Sequence, residues 1–230
     1  MVEKLFLLGL PGSGKSTAAR YIEMLARDYD WLPRRFNDYD ILLKMFRTDS
    51  EGKRFSRTRY GGFDVHKHIA FDEALIEIEK VVLQREKVTN DQNELIIIEF
   101  ARDDYCRALD LFSPAFLRGA FFLFIDADIP TCLKRIKDRI ADPQTPDDHD
   151  VSEYIFESYY QNDNRQYQAS VTSKLNGCRD INEDRVMVID NTTTTSIQHF
   201  LEIIKLWIMT IFEQRSLYPE PAVVSEPAED

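Results

Sequence analysis

The chain has 230 residues, a formal net charge of −11 and a hydrophobic content of 43%. This length and hydrophobic content predict one large domain with a sizeable core, and the acidic balance argues against bulk binding to nucleic acids or to anionic membranes. The cysteines show no C-x-x-C spacing, no apolar run reaches membrane-spanning length and no cleavable leader is recognisable, so we expect a cytoplasmic protein without a disulfide framework.

The first element with a chemical signature is a glycine-rich loop. The apolar run 5–8 predicts a strand, and residues 9–17 read G-L-P-G-S-G-K-S-T before an amphipathic stretch that predicts a helix. In this context G-x-x-x-x-G-K-S predicts a phosphate cradle, because the glycines allow backbone N–H groups to approach phosphate oxygens and the helix N-terminus adds partial positive charge. Lys15 is placed to reach the β- and γ-phosphates, and the Ser16 hydroxyl to bind Mg²⁺.

Two aspartates follow the second predicted strand. This strand ends near Asn37 or Asp38 and a helix follows, so Asp38 and Asp40 come at the carboxyl end of a strand. In open α/β sheets, ligands bind at that end.

The next stretch, 47–62, is polar and rich in Arg, Lys, Ser and Gly, and it predicts a loop. Its arginines at 54, 57 and 59 form either an anion contact or an ordinary solvated surface. A long helix is predicted after the loop, capped by Asp64 and running to about Lys87.

Two continuous apolar runs, 95–98 and 120–125, predict strands that are buried on both faces. The first run ends in Glu99, and Arg102 follows three residues later. Both side chains are therefore expected at the same edge of the sheet as Asp38.

The second run is followed by a helix start, Asp128 with Pro130. The predicted helix carries Arg135 and Arg139, which are four residues apart and therefore share one face.

The remaining elements complete an alternating pattern. Asp150 and Glu153 fit a capping box for a further helix, residues 186–190 form an apolar run typical of a buried strand, and Ser196 can cap a final amphipathic helix. Residues 216–230 are acidic and proline-rich, which predicts a disordered tail. Strands alternating with helices predict a three-layer α/β/α sandwich around a parallel sheet.

With these elements, the chain resembles the P-loop kinases of the nucleoside-monophosphate-kinase-like group, which includes shikimate-, gluconate- and polynucleotide-kinase-like enzymes. The resemblance covers about residues 1–212 and is carried by residues 9–17, by N-D-Y-D at 37–40, by I-D-A-D-I-P-T-C-L-K-R-I-K-D-R at 125–139 and by V-I-D-N-T at 188–192. It implies a five-stranded sheet in the order 2-3-1-4-5, a helical lid, and transfer of the γ-phosphate of ATP to a small acceptor with Mg²⁺. The kinase domain would span 1–215, with the lid at about 135–165 and the acceptor-binding region at about 38–90.

The resemblance also implies roles for individual residues. The ATP-binding residues would be Gly9, Pro11, Gly12, Ser13, Gly14, Lys15, Ser16, Thr17 and Asn191. Ser16 would also be a ligand of Mg²⁺, and Asn191 would border the adenine. Phosphoryl transfer needs cations that neutralise the transferring group, and Arg135 or Arg139 would supply one, with Arg139 favoured because it is nearer the lid loop.

The acceptor side stays open between several residues. Asp38 or Asp40 fits a carboxylate that takes the proton of a hydroxyl acceptor, although Asp40 equally fits a helix cap. Glu99 is a rival, because a carboxylate at that strand end often holds a magnesium-bound water. A phosphate-bearing acceptor would instead call for Arg102 and the arginines of the 54–59 loop. The candidate acceptors are therefore a small molecule, a nucleoside or nucleotide, or a polynucleotide end. The sequence also leaves open whether the protein is a monomer or a dimer.

The alternative from another class is a regulatory nucleotide switch without a small-molecule acceptor. A GTPase-like switch would need a base-reading N-K-x-D motif, which the sequence lacks. The D-S-E-G at 49–52 matches D-x-x-G in spacing, but no predicted strand precedes it. Affinities for ATP and GTP would separate a kinase from such a switch.

Overall fold

A computed structural model describes most of the chain. The described residues are 1–87, 92–143, 145, 148–160, 185–193 and 196–217. Outside this set lie residues 144, 146, 147 and 161–165 of the predicted lid, 88–90 of the predicted acceptor region, 218–230 of the predicted tail, and Cys178. Residues 216 and 217 of the predicted tail belong to the last helix. Cys106 and Cys132 are buried free thiols.

Seven strands are present among the described residues. They are β1 (Val2–Leu8), β2 (Leu32–Asn37), β3 (Phe55–Arg57), β4 (Phe63–Val65), β5 (Glu94–Phe100), β6 (Phe121–Asp126) and β7 (Val186–Asp190). Five of them form one parallel sheet in the order β2-β5-β1-β6-β7. When only these five strands are numbered along the chain, their order is 2-3-1-4-5. The predicted strand order is therefore confirmed.

Helices cover both faces of the sheet. They are α1 (Lys15–Asp28), α2 (Asp38–Thr48), α3 (Ile69–Glu86), α4 (Tyr105–Leu109), α5 (Pro114–Leu117), α6 (Ile129–Ala141), α7 (Glu153–Ser158) and α8 (Ile197–Leu217). No helix of the described residues combines the length and the apolar character needed to cross a membrane.

The alternation of side chains along the strands divides the core into two layers. In β1, Leu5 and Leu7 pack towards α1 and α8, whereas Phe6 and Leu8 pack towards α3, α4 and α5. All four side chains are fully buried, because the central strand of a parallel sheet has helices on each face. The predicted three-layer sandwich is therefore confirmed.

The segment after α2 differs from the prediction. Residues 55–57 and 63–65 form an antiparallel hairpin in which Phe55 lies opposite Val65, and α3 begins only at Ile69. The reason is packing, since Phe55, Phe63 and Val65 are all buried, and three-residue strands are too short to give a clear periodicity.

Two predicted caps are also corrected. Asp64 lies in β4, where it accepts a hydrogen bond from Ser152 Oγ at 2.5 Å. Helix α7 is capped by that same Ser152, whose Oγ accepts from the Ile155 N–H, and the predicted capping box of Asp150 and Glu153 is wrong. The hairpin and the start of α7 are thereby tied together.

A third apolar cluster lies at the carboxyl end of the sheet. It joins side chains of α2, the β3–β4 hairpin, α3, α6 and α7. This cluster borders the space above the glycine-rich loop, so it is part of the surroundings of the candidate site.

Candidate active site

The loop between β1 and α1 has a backbone that requires glycine. Gly14 is the N-cap of α1 with φ 112°, and Gly12 has φ 83°. A Cβ on Gly12 would lie 2.5 Å from the backbone oxygen of Cys132 in α6, closer than atoms pack. The loop therefore passes tightly against α6, and its N–H groups sit at the start of a 14-residue helix, where anions are favoured.

Lys15 is folded into the loop. Its Nζ donates hydrogen bonds to the backbone oxygens of Gly9 and Leu10, both at 2.9 Å, and the residue is buried. Burial lowers its pKa, and the carboxylates of Glu99 and Asp38 partly oppose that shift. The two strand-end acids therefore lie within electrostatic reach of the loop lysine.

Ser16, Glu99 and Arg35 form a chain of contacts beside the loop. The Ser16 hydroxyl donates to Glu99 Oε1 at 3.0 Å, while Arg35 Nε donates to Glu99 Oε2 at 2.9 Å. Glu99 is buried, and this arginine keeps its charge paired, as buried carboxylates require. Sequence reasoning missed Arg35, although it lies two residues before Asn37, the residue opposite Glu99 in the sheet, and therefore on the same face.

Asp38 is paired with Arg102 at the start of α2. Arg102 Nη1 donates to Asp38 Oδ2, and Nη2 donates to the Phe71 backbone oxygen at 2.5 Å. The guanidinium lies 5.1 Å from the Phe71 ring centroid and 5.5 Å from that of Phe100, and Arg102 is only 1% exposed. Burial disfavours its charge, but Asp38 keeps the pKa of Arg102 above its usual value.

The two arginines of α6 have different partners. Arg135 Nη2 donates to the Asn191 backbone oxygen at 2.7 Å, and Asn191 Nδ2 donates to the Ser13 backbone oxygen, also at 2.7 Å. Arg135 thus links α6 to the segment that follows β7, beside the loop. Arg139 Nη2 donates to the backbone oxygen of His149 at 3.0 Å.

The His149 ring stacks on Tyr39, with 3.6 Å between centroids. Tyr39 in turn stacks on Phe63 of the hairpin. The segment that carries His149 is further tied to the hairpin by the Asp150 N–H, which donates to the Gly61 oxygen at 3.1 Å. The lid side and the acceptor side of the site are therefore in direct contact.

These groups surround a cavity of about 360 Å³, which is within the size range of small-molecule pockets. The predicted site residues that line it are Pro11, Gly12, Gly14, Lys15, Ser16, Thr17, Asp38, Glu99, Arg135 and Arg139. The predicted site residues outside its lining are Gly9, Ser13, Asp40, Arg102 and Asn191. Gly9, Ser13 and Asn191 belong to the loop and its support.

Asp40 and the arginines predicted as acceptor contacts lie apart from the cavity. Asp40 is on the exposed side of α2, and Arg102 is behind Asp38. Arg54 forms an ion pair with Glu73, and the cavity lining includes no residue of the 54–59 stretch. The geometry thus favours Asp38 over Asp40 as the carboxylate nearest a bound acceptor.

Tyr105 supports the loop and was not predicted. Its hydroxyl oxygen accepts a hydrogen bond from the Gly9 N–H at 2.9 Å, and the residue is fully buried. Burial raises the pKa of Tyr105 far above its usual range, although the N–H groups of Arg102 and Gly9 oppose that shift. Tyr105 is 96 residues from Gly9 in the sequence, and no local sequence pattern predicts a hydrogen bond between residues so far apart.

The donor atoms beside the loop suit magnesium. The Ser16 hydroxyl and the Glu99 carboxylate, in contact at 3.0 Å, are the hard oxygen ligands that Mg²⁺ prefers, and Mg²⁺ in nucleotide sites usually combines one or two such groups with phosphates and water. Among the described residues, no group of three or more His, Cys, Asp or Glu side chains could hold a metal ion. A Mg²⁺ ion bound by Ser16 and Glu99 would therefore need phosphate and water as its other ligands.

No protein-family model matches the sequence, and a search of curated protein sequences finds no significant match. Among solved structures, the crystal structure of APE1195 matches at 17% identity, covering 91% of this chain and 96% of that one, with a TM-score of 0.49. Shikimate kinase from Acinetobacter baumannii in complex with shikimate matches at 11% identity, with coverages of 92% and 95% and a TM-score of 0.45. A sugar kinase from Janibacter sp. HTCC2649 matches at 12% identity, with coverages of 91% and 95% and a TM-score of 0.42. At these identities and TM-scores, the matches do not bear on what this chain does.

Proposed function

We propose that the protein is a kinase that transfers the γ-phosphate of ATP, with Mg²⁺, to a hydroxyl group of a small acceptor. The observation that carries this proposal is one cavity lined by both halves of such a reaction. The lining combines the phosphate loop, with Lys15 and Ser16, and the carboxylate of Asp38. We assign the acceptor-binding region to residues 38–90 and the lid to the segment that begins at Arg135.

On the donor side, the loop N–H groups and Lys15 would hold the β- and γ-phosphates. Lys15 exchanges its two backbone oxygen partners for phosphate oxygens, which are stronger acceptors because they are charged. Ser16 and Glu99 would hold Mg²⁺, which neutralises phosphate charge when it is bound. Arg139 lies close enough to Lys15 to lower its pKa, so it can act on the same phosphate group.

On the acceptor side, Asp38 would orient the hydroxyl and take its proton. Its Oδ2 accepts from Arg102, no described residue donates a hydrogen bond to Oδ1, and Asp38 lines the cavity. The acceptor oxygen forms a bond to the γ-phosphorus as the bond from that phosphorus to the β-γ bridging oxygen breaks, the proton passes to Asp38, and ADP leaves.

Glu99 is less suited to be the base. Both of its oxygens are engaged, Oε1 by Ser16 and Oε2 by Arg35, whereas only one oxygen of Asp38 accepts a hydrogen bond from a described residue. These contacts support a role beside the metal and leave Asp38 as the candidate base.

Purified protein, ATP and Mg²⁺ should be screened against pools of nucleosides, nucleotides, sugars, alcohols and oligonucleotide 5′ ends, with product detected by mass spectrometry. We expect an acceptor-dependent phosphorylated product, abolished by Lys15→Ala and lowered on the order of 100-fold or more in kcat by Asp38→Asn. GTP binding with hydrolysis but no transfer to any pool would favour the nucleotide switch. Full activity of Lys15→Ala would refute the catalytic site.

A further inference from the structure

The part of the cavity that faces away from the phosphate loop is largely apolar. We call this surface the acceptor wall, and its residues are Tyr39, Leu42, Phe63, Val65, Phe71, Ile155 and Tyr160. They come from α2, β4, α3 and the region of α7, so the surface is assembled from four separate parts of the chain.

Among the described lining residues, the cations belong to α1 and α6, and Arg139 of α6 is close enough to Tyr39 of the wall to act on its pKa. The cations among the lining residues are Lys15 and Arg20 of α1 and Arg135 and Arg139 of α6, all on the elements that contact the triphosphate in the proposed reaction. Arg102 lies 5.1 Å from the Phe71 ring centroid, but it is buried and paired with Asp38. The described part of the acceptor wall therefore has no cation of its own.

Negative charge, by contrast, is already present there. Asp38 and Glu99 line the cavity beside the wall, and Asp148 and Asp150 line its lid side. A phosphate or carboxylate on the acceptor would be desolvated against the apolar side chains of the wall, none of which is a cation that could pair with it, and this is unfavourable. A polyol without an aromatic ring would likewise lack partners for most of its hydroxyls and would have no ring to pack on those of the wall.

We infer that the acceptor is an uncharged alcohol whose hydroxyl is carried on a largely apolar ring system. This inference rests on the proposed kinase function and narrows it. The ring system packs on the acceptor wall, and the hydroxyl points to Asp38 and the phosphate loop. Two chemical sources fit this description, nucleosides and other aromatic alcohols, whereas nucleotides, sugar acids, polyols and polynucleotide ends do not.

The test compares matched acceptors in kcat/KM. Thymidine and adenosine represent nucleosides, and pyridoxine and benzyl alcohol represent other aromatic alcohols. Each nucleoside is paired with its 3′-monophosphate, which keeps the 5′-hydroxyl and adds charge, and benzyl alcohol is paired with 4-(hydroxymethyl)benzoate. Shikimate, gluconate and glycerol complete the set. We expect at least one uncharged ring alcohol to exceed its charged counterpart about 100-fold or more, and the better of the two sources identifies the class.

Two variants test the wall itself. Phe63→Ala removes a ring that lines the cavity, whereas Phe46→Ala removes a ring of the same cluster that does not line it, 5.0 Å away between centroids. We expect Phe63→Ala to lower kcat/KM for the ring alcohol about 10- to 100-fold while Phe46→Ala changes it less than about 3-fold. ATP affinity, measured by calorimetry, should be retained in both variants and shows that each is folded.

The outcomes separate the two proposals. Preference for a charged acceptor or a polyol overturns the inference about the acceptor and leaves the kinase proposal standing. A protein that binds ATP but phosphorylates no uncharged ring alcohol also overturns the inference. A protein that does not bind ATP at all overturns the proposed function, and this inference with it. Equal effects of Phe63→Ala and Phe46→Ala would show that the wall acts only as core.

Discussion

Tyr105→Phe is the sharpest test of how the phosphate loop is held. The tyrosine hydroxyl lies in a fully buried position between the end of β5 and the first residue of the loop, and its oxygen accepts the Gly9 N–H at 2.9 Å. Phenylalanine keeps the ring and its packing but removes this acceptor. The Gly9 N–H is then buried without a partner, at the point where the chain turns from β1 into the loop.

The size of the effect follows from the donors that lose this acceptor, the N–H groups of Gly9 and Arg102. An unpaired buried N–H costs about 1–3 kcal/mol, so loss of the Gly9 partner alone should lower the free energy of unfolding by about that amount. For a domain of this length this corresponds to a decrease in Tm of about 2–12 °C. Because Gly9 also positions the N–H groups that follow it, kcat/KM for ATP should fall on the order of 10-fold.

The matched control is Tyr160→Phe. Tyr160 is also buried, but its hydroxyl donates at 3.4 Å to the Ala101 oxygen, which keeps a second donor in Arg102. That variant should lose less than about 1 kcal/mol and keep its affinity for ATP. Denaturant unfolding and calorimetric titration with ATP measure both quantities. If Tyr105→Phe matched the parent protein in stability and ATP affinity, the loop would not depend on this hydrogen bond.

Three further predictions concern the loop, the buried acid and the response to pH. Gly12→Ala should abolish ATP binding, because its Cβ would meet a backbone oxygen of α6 at 2.5 Å, whereas Gly61→Ala, with a similar φ of 81° and no atom within 4 Å, should bind ATP normally in the same titration. Arg35→Leu leaves the Glu99 carboxylate buried without its cation and should destabilise the protein by about 3–5 kcal/mol, measured by denaturant unfolding; a loss below about 1 kcal/mol would contradict this pairing. Burial raises the pKa of Tyr159 to about 12 from an ordinary 10.0; the unfolded chain therefore releases this proton first as the pH rises, and stability that is fully present below pH 10 is lost between about pH 10 and 12. Tyr159→Phe should make that fall shallower by up to about 1.4 kcal/mol per pH unit, and an unchanged slope would refute the shift.

The parts of the fold that could be predicted are those in which one short segment carries the whole signal. Residues 9–17 combine the glycines, the lysine and the hydroxyl that a phosphate loop needs, and the continuous apolar runs around residues 97 and 123 mark strands with helices on both faces. Asp128 was correctly expected to begin a helix, and its side chain accepts from the Thr131 N–H at 2.8 Å. The strand order was predicted from a resemblance, and the five-stranded sheet confirms that order.

The parts that could not be predicted depend on residues that are distant in sequence. Arg102 and Asp38 are 64 residues apart, and only the pairing of β2 with β5 brings them into contact. Read alone, a basic residue after a strand suggests a ligand contact. In the structure, Arg102 is buried and forms an ion pair with Asp38, because an unpaired carboxylate in that position would be costly.

The two halves of the candidate site differ for the same physical reason. Phosphate groups are small tetrahedral anions, so backbone N–H groups, one lysine and one hydroxyl from a single loop can bind them. The chemistry of that loop can therefore be predicted from nine consecutive residues. The acceptor wall consists of single apolar side chains from several elements, and each has the sequence signature of ordinary core. A substitution such as Phe63→Ala can therefore change which acceptor is bound without altering the loop, whereas Gly12→Ala removes the donor half for every acceptor. This asymmetry predicts that variants of the wall alter acceptor choice while the affinity for ATP stays constant, which the paired titrations above measure directly.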